Sequence, residues 1–247
     1  MNILVCISKV PDTTSKITFT DGDTKFNTQG VTWIVNPSDE WYALVRALEI
    51  KESLGSGNVT IITVGTAEDD AVIRKALAVG ADNAVRVNLD PKDSYSVAAA
   101  IADYAKTQNF DLILTGKETI DHNNSEVGGM VAELLGMEFI SPANKLDISG
   151  RTARVESEAG GATYVFEAEL PLVLSAAKGM AEQRIPNMKG IMAARTKPIT
   201  VVEPASPHPK VNVVKFELPP AKAGVKLIAP ENTDELVQLL HTEAKVI

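Results

Sequence analysis

Asp111-Leu112-Ile113-Leu114-Thr115-Gly116-Lys117-Glu118-Thr119-Ile120-Asp121-His122-Asn123-Asn124-Ser125-Glu126-Val127-Gly128-Gly129 is the stretch on which the fold reading turns. Leu112–Leu114 is a short apolar run, as expected of a strand buried on both faces. The chain leaves it through Thr115-Gly116, crosses a polar loop and enters a helix near Ser125. Val127, Met130, Val131, Leu134 and Leu135 share one face of that helix, which stops at Gly136. The same alternation extends upstream. Residues 3–7 and Val59–Val64 are apolar runs, with Ala84–Val87 a weaker one. Trp41, Leu44, Val45 and Leu48 line one face of a helix that Ser38 is placed to cap. Thr66 and Asp69 form a capping-box-like pair opening a helix through Val72, Ile73, Ala76 and Leu77 to Gly80. A third helix covers about 96–107. Apolar strands alternating with helices predict an α/β fold with a parallel sheet and crossover helices.

Beyond about residue 140 the pattern changes. Arg151–Val155 and Thr163–Glu167 read as a hairpin turning through Ala159-Gly160-Gly161, and Leu170–Ala176 as another strand. Lys178–Pro198 has no clean period of either kind. From Glu203 the chain carries Pro204, Pro207, Pro209, Pro219 and Pro220 and reads as an extended arm. It ends in a helix, Asp234–Thr242, with Leu236, Val237 and Leu240 expected to face inward. Such a tail has no core of its own, so it is expected to wrap a partner.

The chain has 247 residues, 45% hydrophobic and 23% charged, enough to bury a substantial core. A net charge of −8 argues against nucleic-acid and anionic-membrane surfaces, which need a concentrated positive field. No apolar run approaches the roughly 20 residues of a membrane span, and Met1-Asn2-Ile3-Leu4-Val5 lacks the basic start of a signal peptide. A cytoplasmic location is expected. Cys6 is the only cysteine, which excludes an intrachain disulfide.

A doubly wound sheet binds ligands beyond the carboxyl ends of its strands. Three loops fit that description: Ser8-Lys9-Val10-Pro11-Asp12, Asn36-Pro37-Ser38-Asp39, and the stretch from Gly116. Amides at the last loop's helix start, with Asn123, Asn124 and Ser125, are suited to a phosphate; the same residues also suit a plain turn and cap. No catalytic set stands out. His122 is the one histidine of the α/β region, His208 and His241 lying in the arm and tail, and Cys6 sits inside a strand as a small hydrophobe. Asp111, Glu118 and Asp121 are a conceivable carboxylate cluster whose spacing matches no metal motif. No G-x-G-x-x-G, P-loop or G-x-S-x-G pattern occurs.

Several segments, in order, resemble the β subunit of electron transfer flavoprotein. They are residues 3–12, Asn36-Pro37, residues 74–82, residues 111–121, and above all residues 182–199, Glu-Gln-Arg-Ile-Pro-Asn-Met-Lys-Gly-Ile-Met-Ala-Ala-Arg-Thr-Lys-Pro-Ile, with Ala223-Gly224-Val225-Lys226 in the arm. The resemblance implies a heterodimer with a larger α subunit that holds most of the FAD, and a β core of Rossmann-like, adenine-nucleotide-binding type that keeps a bound AMP. AMP contacts carry over by position to Cys6; to Asn36, Pro37, Ser38 and Asp39; to Val64; and to Gly116, Lys117, Glu118, Thr119, Ile120, Asp121, His122, Asn123, Asn124, Ser125, Glu126 and Val127. Residues 1–200 are then the nucleotide-binding domain and 201–247 the arm and helix that pack on the α subunit. A loop at about 176–198 is implied to dock electron-donor dehydrogenases such as acyl-CoA dehydrogenases, through Arg184, Ile185, Met188, Ile191 and Met192, with Met188 as anchor. The implied role is an electron carrier without catalytic residues of its own. Thr13 and Ser38 stand where relatives often carry an aromatic, and His122 and Asn123 where aspartates are common. A bifurcating carrier with a second FAD in place of AMP is the main alternative. A stand-alone adenine-nucleotide-binding, stress-type protein is another, but it has no need of the extension from Lys178 to Ile247.

Overall fold

The structure is a computed structural model that describes residues 1–205, 209–222 and 224–247. Pro207, His208 and Ala223 lie outside the described residues. The chain divides into two compact units, Met1–Ile17 with Asn27–Val214, and Thr18–Phe26 with Lys215–Ile247. In chain order the elements are β1 (Asn2–Cys6), β2 (Lys9–Pro11), β3 (Phe19–Thr20), β4 (Lys25–Phe26), β5 (Trp33–Val35), α1 (Asp39–Leu54), β6 (Asn58–Gly65), α2 (Asp70–Val79), β7 (Asn83–Asn88) and α3 (Ser94–Lys106). They continue with β8 (Leu112–Gly116), α4 (Val127–Leu135), β9 (Glu138–Ala143), β10 (Lys145–Ser149), β11 (Thr152–Ala159), β12 (Ala162–Glu169), β13 (Leu172–Ala176), α5 (Met188–Thr196), β14 (Ile199–Val202) and α6 (Thr233–Leu239).

In the first unit, seven strands form a parallel sheet in the order β14-β7-β6-β1-β8-β13-β9. Alternation along each strand splits the core into two layers. Ile3, Val5, Leu112, Leu114, Leu172 and Leu174 pack with α1 and α2. Leu4, Cys6, Ile113 and Val173 pack with α3 and α4. Burial on both faces is why these strands read as continuous apolar runs rather than alternating ones. The α/β class read from the sequence is the observed one. The chain winds outward from β1 to β6 and β7, then returns past β1 to β8. Connections therefore diverge between β1 and β8, whose register runs from Ile3↔Leu112 to Val5↔Leu114, and such a switch point leaves a crevice at the carboxyl ends.

The capping box at Thr66 and Asp69 forms, with the Thr66 amide donating to Asp69 Oδ2 at 2.8 Å, and one 3-10 turn precedes α2. The third helix starts at Ser94, earlier than periodicity indicated, because Asp93 caps it by accepting from the Ser96 amide. Ser38 does not cap α1 through its side chain. Its backbone is left-handed (φ 62°), and it is the main-chain carbonyl that accepts, from the Tyr42 amide at 2.7 Å. The hairpin of β11 and β12 turns at Gly160-Gly161, and β10 adds a third antiparallel strand. The aperiodic stretch 178–198 contains a helix, α5. Asn187 starts it by accepting from the Gly190 amide at 2.8 Å, and only Ala194 is buried, so no apolar period marks it.

In the second unit β3 and β4 pair antiparallel, the Phe216 amide donates to the Asp23 carbonyl at 2.8 Å, and Phe216 stacks on Phe19 with centroids 5.0 Å apart. Leu236 and Val237 of α6 do not face inward: they are 43% and 54% exposed, while Leu239 and, just beyond the helix, Leu240 are partly covered. This unit is too small to supply a second apolar layer for the helix to pack on.

Candidate functional site

At the carboxyl ends of β1 and β8 lies a crevice of about 480 Å³. Ser8 follows β1, and Thr115 and Gly116 end β8. The loop and first turn of α3 contribute Pro91, Lys92, Asp93, Ser94, Tyr95 and Val97, and residues Lys210, Val211 and Val213 close one side. The N-termini of two helices, α3 and α4, therefore frame the same space, and helix starts carry unsatisfied amides and positive partial charge.

The loop from Gly116 is set by a buried carboxamide. Asn36, fully inaccessible, donates through Nδ2 to the Glu118 carbonyl at 3.0 Å and accepts at Oδ1 from the Ile120 amide at 3.1 Å; its own amide donates to the Ser8 carbonyl. One residue, through its side chain and its own amide, thus ties the β1, β5 and β8 ends together. Gly116 is required by space, since a Cβ there would lie 2.8 Å from Glu40 Cγ and 3.1 Å from its amide nitrogen. Further along, Ser125 Oγ donates to Glu118 Oε2 at 3.0 Å, and Lys117 pairs with Glu118 at 2.9 Å. The Lys117 bond holds the Glu118 carboxyl below its usual range. Asn124 Nδ2 donates to Ser94 Oγ, linking the α4 loop to the start of α3.

Two further carboxylates shape the walls. Glu40 is buried and takes both Ser8 donors, the amide at Oε2 (2.6 Å) and the hydroxyl at Oε1 (2.7 Å). Burial pushes it up to about 8, against the lowering effect of the two Ser8 bonds, with Asp121 and Asp39 adding to the rise. At Asp93, desolvation is outweighed by bonds from Ser96 and from the Lys210 and Val211 amides, and the carboxyl falls to about 2. Those two amides, at 2.5 and 2.9 Å, pin residues 210–211 to the crevice rim, with Lys210 Nζ over the Tyr95 ring.

Of the residues singled out in the sequence, Gly116, Lys117, Glu118, Thr119, His122, Asn124, Ser125, Glu126 and Val127 line the crevice. Cys6, Asn36, Pro37, Ser38, Asp39, Val64, Ile120, Asp121 and Asn123 are not among its lining residues. Cys6 is buried in β1, and desolvation raises its thiol. Asp111 does not join Glu118 and Asp121: it precedes β8, at the other end of the strand, and accepts from the Asn2 amide at 2.8 Å. Sequence reading missed Glu40, the 91–97 segment and residues 210–213. Glu40 had one visible signal, an acid in a first helical turn directly after the Asn36-Pro37 loop.

Arg184, Ile185, Met188, Ile191 and Met192 lie away from the crevice. Arg184 makes a two-pronged pair with Glu52 at 2.7 and 3.0 Å, and its carbonyl accepts from Trp41 Nε1. Helix α5 lies close on α2, where a Cβ at Gly190 would meet the Ala78 carbonyl oxygen at 2.3 Å, and Arg74 Nη1 donates to the Ala194 and Lys197 carbonyls at its end. Ile185 (81%), Met188 (73%), Met192 (54%) and Ile191 (37%) stay exposed. Ile191 and Met192 therefore do not tuck into the core.

The sequence model of the Electron transfer flavoprotein domain matches residues 23–207, well over half the chain. The chain belongs to the electron transfer flavoprotein family. Its relatives within that family include the electron transfer flavoprotein subunit beta of Bacillus subtilis, 38% identical with both chains fully covered. Another is the subunit beta of Syntrophomonas wolfei, 38% identical over 92% of this chain and 90% of the relative. The mitochondrial subunit beta of Oryza sativa is 33% identical, again with both chains fully covered. Family membership on the beta side implies an alpha-subunit partner and a role in electron transport with a flavin. No helix among the described residues is long and apolar enough to cross a membrane.

Proposed function

We propose that this chain is the beta subunit of a heterodimeric electron transfer flavoprotein that carries electrons, in the cytoplasm, from flavin dehydrogenases to a downstream acceptor, and that its crevice holds AMP. The observation that carries the nucleotide reading is the placement of two helix N-termini, at Ser94 and Val127, around one crevice at the switch point of the sheet. Amides at those starts and the Ser125 and Asn124 side chains suit a phosphate, while Val97, Met130 and Val211 offer apolar surface to a base. The residues present therefore fit an adenine mononucleotide. The flavin, held mainly by the alpha subunit, supplies the electron chemistry when bound. This chain contributes the nucleotide-filled core, an arm that packs on the partner and helps enclose the flavin, and a docking patch. That patch is the exposed Ile185, Met188, Ile191 and Met192, rimmed by Arg184, Lys189 and Arg195, a small apolar anchor in a charged rim. Methionine suits a surface that accepts several donors, because it is flexible and polarizable.

Chromatography of nucleotides released from the purified heterodimer tests the proposal. One AMP and one FAD per heterodimer is the expected result. Two flavins and no AMP selects the bifurcating alternative, and one flavin with no nucleotide in this subunit overturns the reading of the crevice.

A further inference from the structure

We propose that Ser8 and Glu40 form one proton-linked recognition element for an anionic oxygen in the crevice, a phosphate oxygen in the nucleotide reading on which this inference rests. Both residues line the crevice. Glu40 is enclosed in the first turn of α1, with Gly116 so close behind it that a Cβ would strike Glu40 Cγ. Among the described residues the Glu40 oxygens hydrogen-bond only with Ser8, Oε2 taking the amide and Oε1 facing the hydroxyl at 2.7 Å. Among the described residues Glu40 has no salt-bridge partner. The titratable groups that face it are Asp39 on its own helix, Asp121 on the β8 loop and the Cys6 thiol on β1; Lys117, on the same loop, is engaged with Glu118. A cavity wall therefore carries an acid that burial above all, and then Asp121 and Asp39, discourage from ionising, against the two Ser8 bonds.

The two protonation states turn Ser8 in opposite directions. A carboxylate only accepts, so an ionised Glu40 draws the Ser8 hydroxyl hydrogen onto Oε1 and leaves Ser8 lone pairs facing the crevice. In the neutral acid the proton sits on Oε1 and donates to Ser8 Oγ. The Ser8 hydroxyl hydrogen then rotates outward and donates to whatever acceptor lies in the crevice. A phosphate oxygen selects the second state and repels the first. Where Glu40 is ionised in the free protein, binding therefore moves up to one proton from solvent to Glu40 Oε1, and affinity falls as pH rises through that range. Ser8 is the residue that touches the ligand and Glu40 the one that positions its hydrogen.

The full chain, co-expressed with its alpha subunit and freed of nucleotide, tests this by calorimetry with AMP in two buffers of different ionisation enthalpy. The window from about pH 7.5 to 9.5 lies above the second phosphate ionisation, which is near 6. Uptake of a proton and affinity falling by about tenfold per pH unit above pH 8 are expected. In Glu40→Gln the carboxamide can donate from Nε2 to Ser8 Oγ and accept the Ser8 amide, so affinity becomes independent of pH. Ser8→Ala loses both the proton uptake and about tenfold in affinity, and it guards against a Glu40 variant that fails to fold. Adenosine, which lacks the phosphate, binds without pH dependence; the same dependence as AMP overturns the phosphate assignment. AMP binding without proton uptake, or with uptake kept in Glu40→Gln, overturns the proposal and leaves the nucleotide reading standing. If AMP does not bind at any pH, the nucleotide reading falls. The pair is then judged by the infrared carboxylic-acid band that Glu40→Gln removes: inorganic phosphate shifts its loss to higher pH if the proposal holds, and leaves it unmoved if it does not.

Discussion

The loop from Gly116 to Val127 and the segment from Arg184 to Thr196 each follow a strand of the central sheet and lead into or through a helix, yet they are held in opposite ways. The first is polar outside and tied from within: Asn36 bonds its backbone at Glu118 and Ile120, and Ser125 and Asn124 tie it to Glu118 and to Ser94. The second is fastened at its ends and along one edge, by Arg184 on Glu52, Asn187 on Gly190 and Gly190 against Ala78, while its apolar side chains face solvent. A preorganised polar wall suits a small ligand whose few polar groups must be met at fixed positions. An apolar patch left open on a secured helix suits a macromolecule that covers it.

The contrast breaks most readily at Asn36. Asn36→Ala leaves the Glu118 carbonyl and Ile120 amide without their buried partner and is expected to cost roughly 2–4 kcal/mol, read by urea denaturation. If the crevice holds a nucleotide as proposed, its retention should be lost as well. An effect below about 1 kcal/mol would mean the loop is not internally held.

Gly190→Ala probes the other fastening. A methyl 2.3 Å from the Ala78 carbonyl oxygen forces α5 off α2, with an expected cost of roughly 1–3 kcal/mol. Limited proteolysis should then cut within 184–197 while the crevice loop at 116–127 stays protected. Cutting at 116–127 instead would show the two regions to be mechanically coupled.

Glu40 sharpens the comparison through pH. Its carboxyl is raised to about 8 in the folded chain, so the folded state binds the proton more tightly than the unfolded one. That stability is fully present on the acid side of the ordinary carboxylate range and is lost as pH rises through 8. Wild type should lose about 1 kcal/mol between pH 7 and 9 relative to Glu40→Gln. Parallel pH profiles from thermal melts would refute the raised value.

The smallest effect on stability is expected at Met188. Met188→Ala should leave stability within about 0.5 kcal/mol and the flavin content and spectrum unchanged, yet slow reduction of the flavin by a donor dehydrogenase in stopped flow. Wild-type rates with every donor would refute the docking assignment.

Much of the architecture was legible in the residues themselves. Runs such as Ile3–Ile7 and Leu112–Leu114 are apolar without alternation because both faces are covered, and that marks a central parallel strand before any contact is known. Thr66 with Asp69, the face of Trp41, Leu44, Val45 and Leu48, and the turn at Gly160-Gly161 are local patterns whose partners lie within a few residues. The polar stretch after Gly116 was visible for the same reason.

What the tertiary structure alone decided depends on residues far apart in the chain. Strands β9 and β14 sit at the sheet edges, where one neighbour supplies the pairing and the sequence need not be continuously apolar. Helix α5 buries little more than Ala194, so packing on α2 rather than any apolar period settles its place. The crevice and the carboxamide that supports its loop join residues 32 positions apart at Ser8 and Glu40, 82 apart at Asn36 and Glu118, and 117 apart at Asp93 and Lys210. Composition records which groups are polar. Only the winding of β1 against β8 determines which of them are desolvated, and desolvation makes Glu40 an acid that holds its proton near neutral pH.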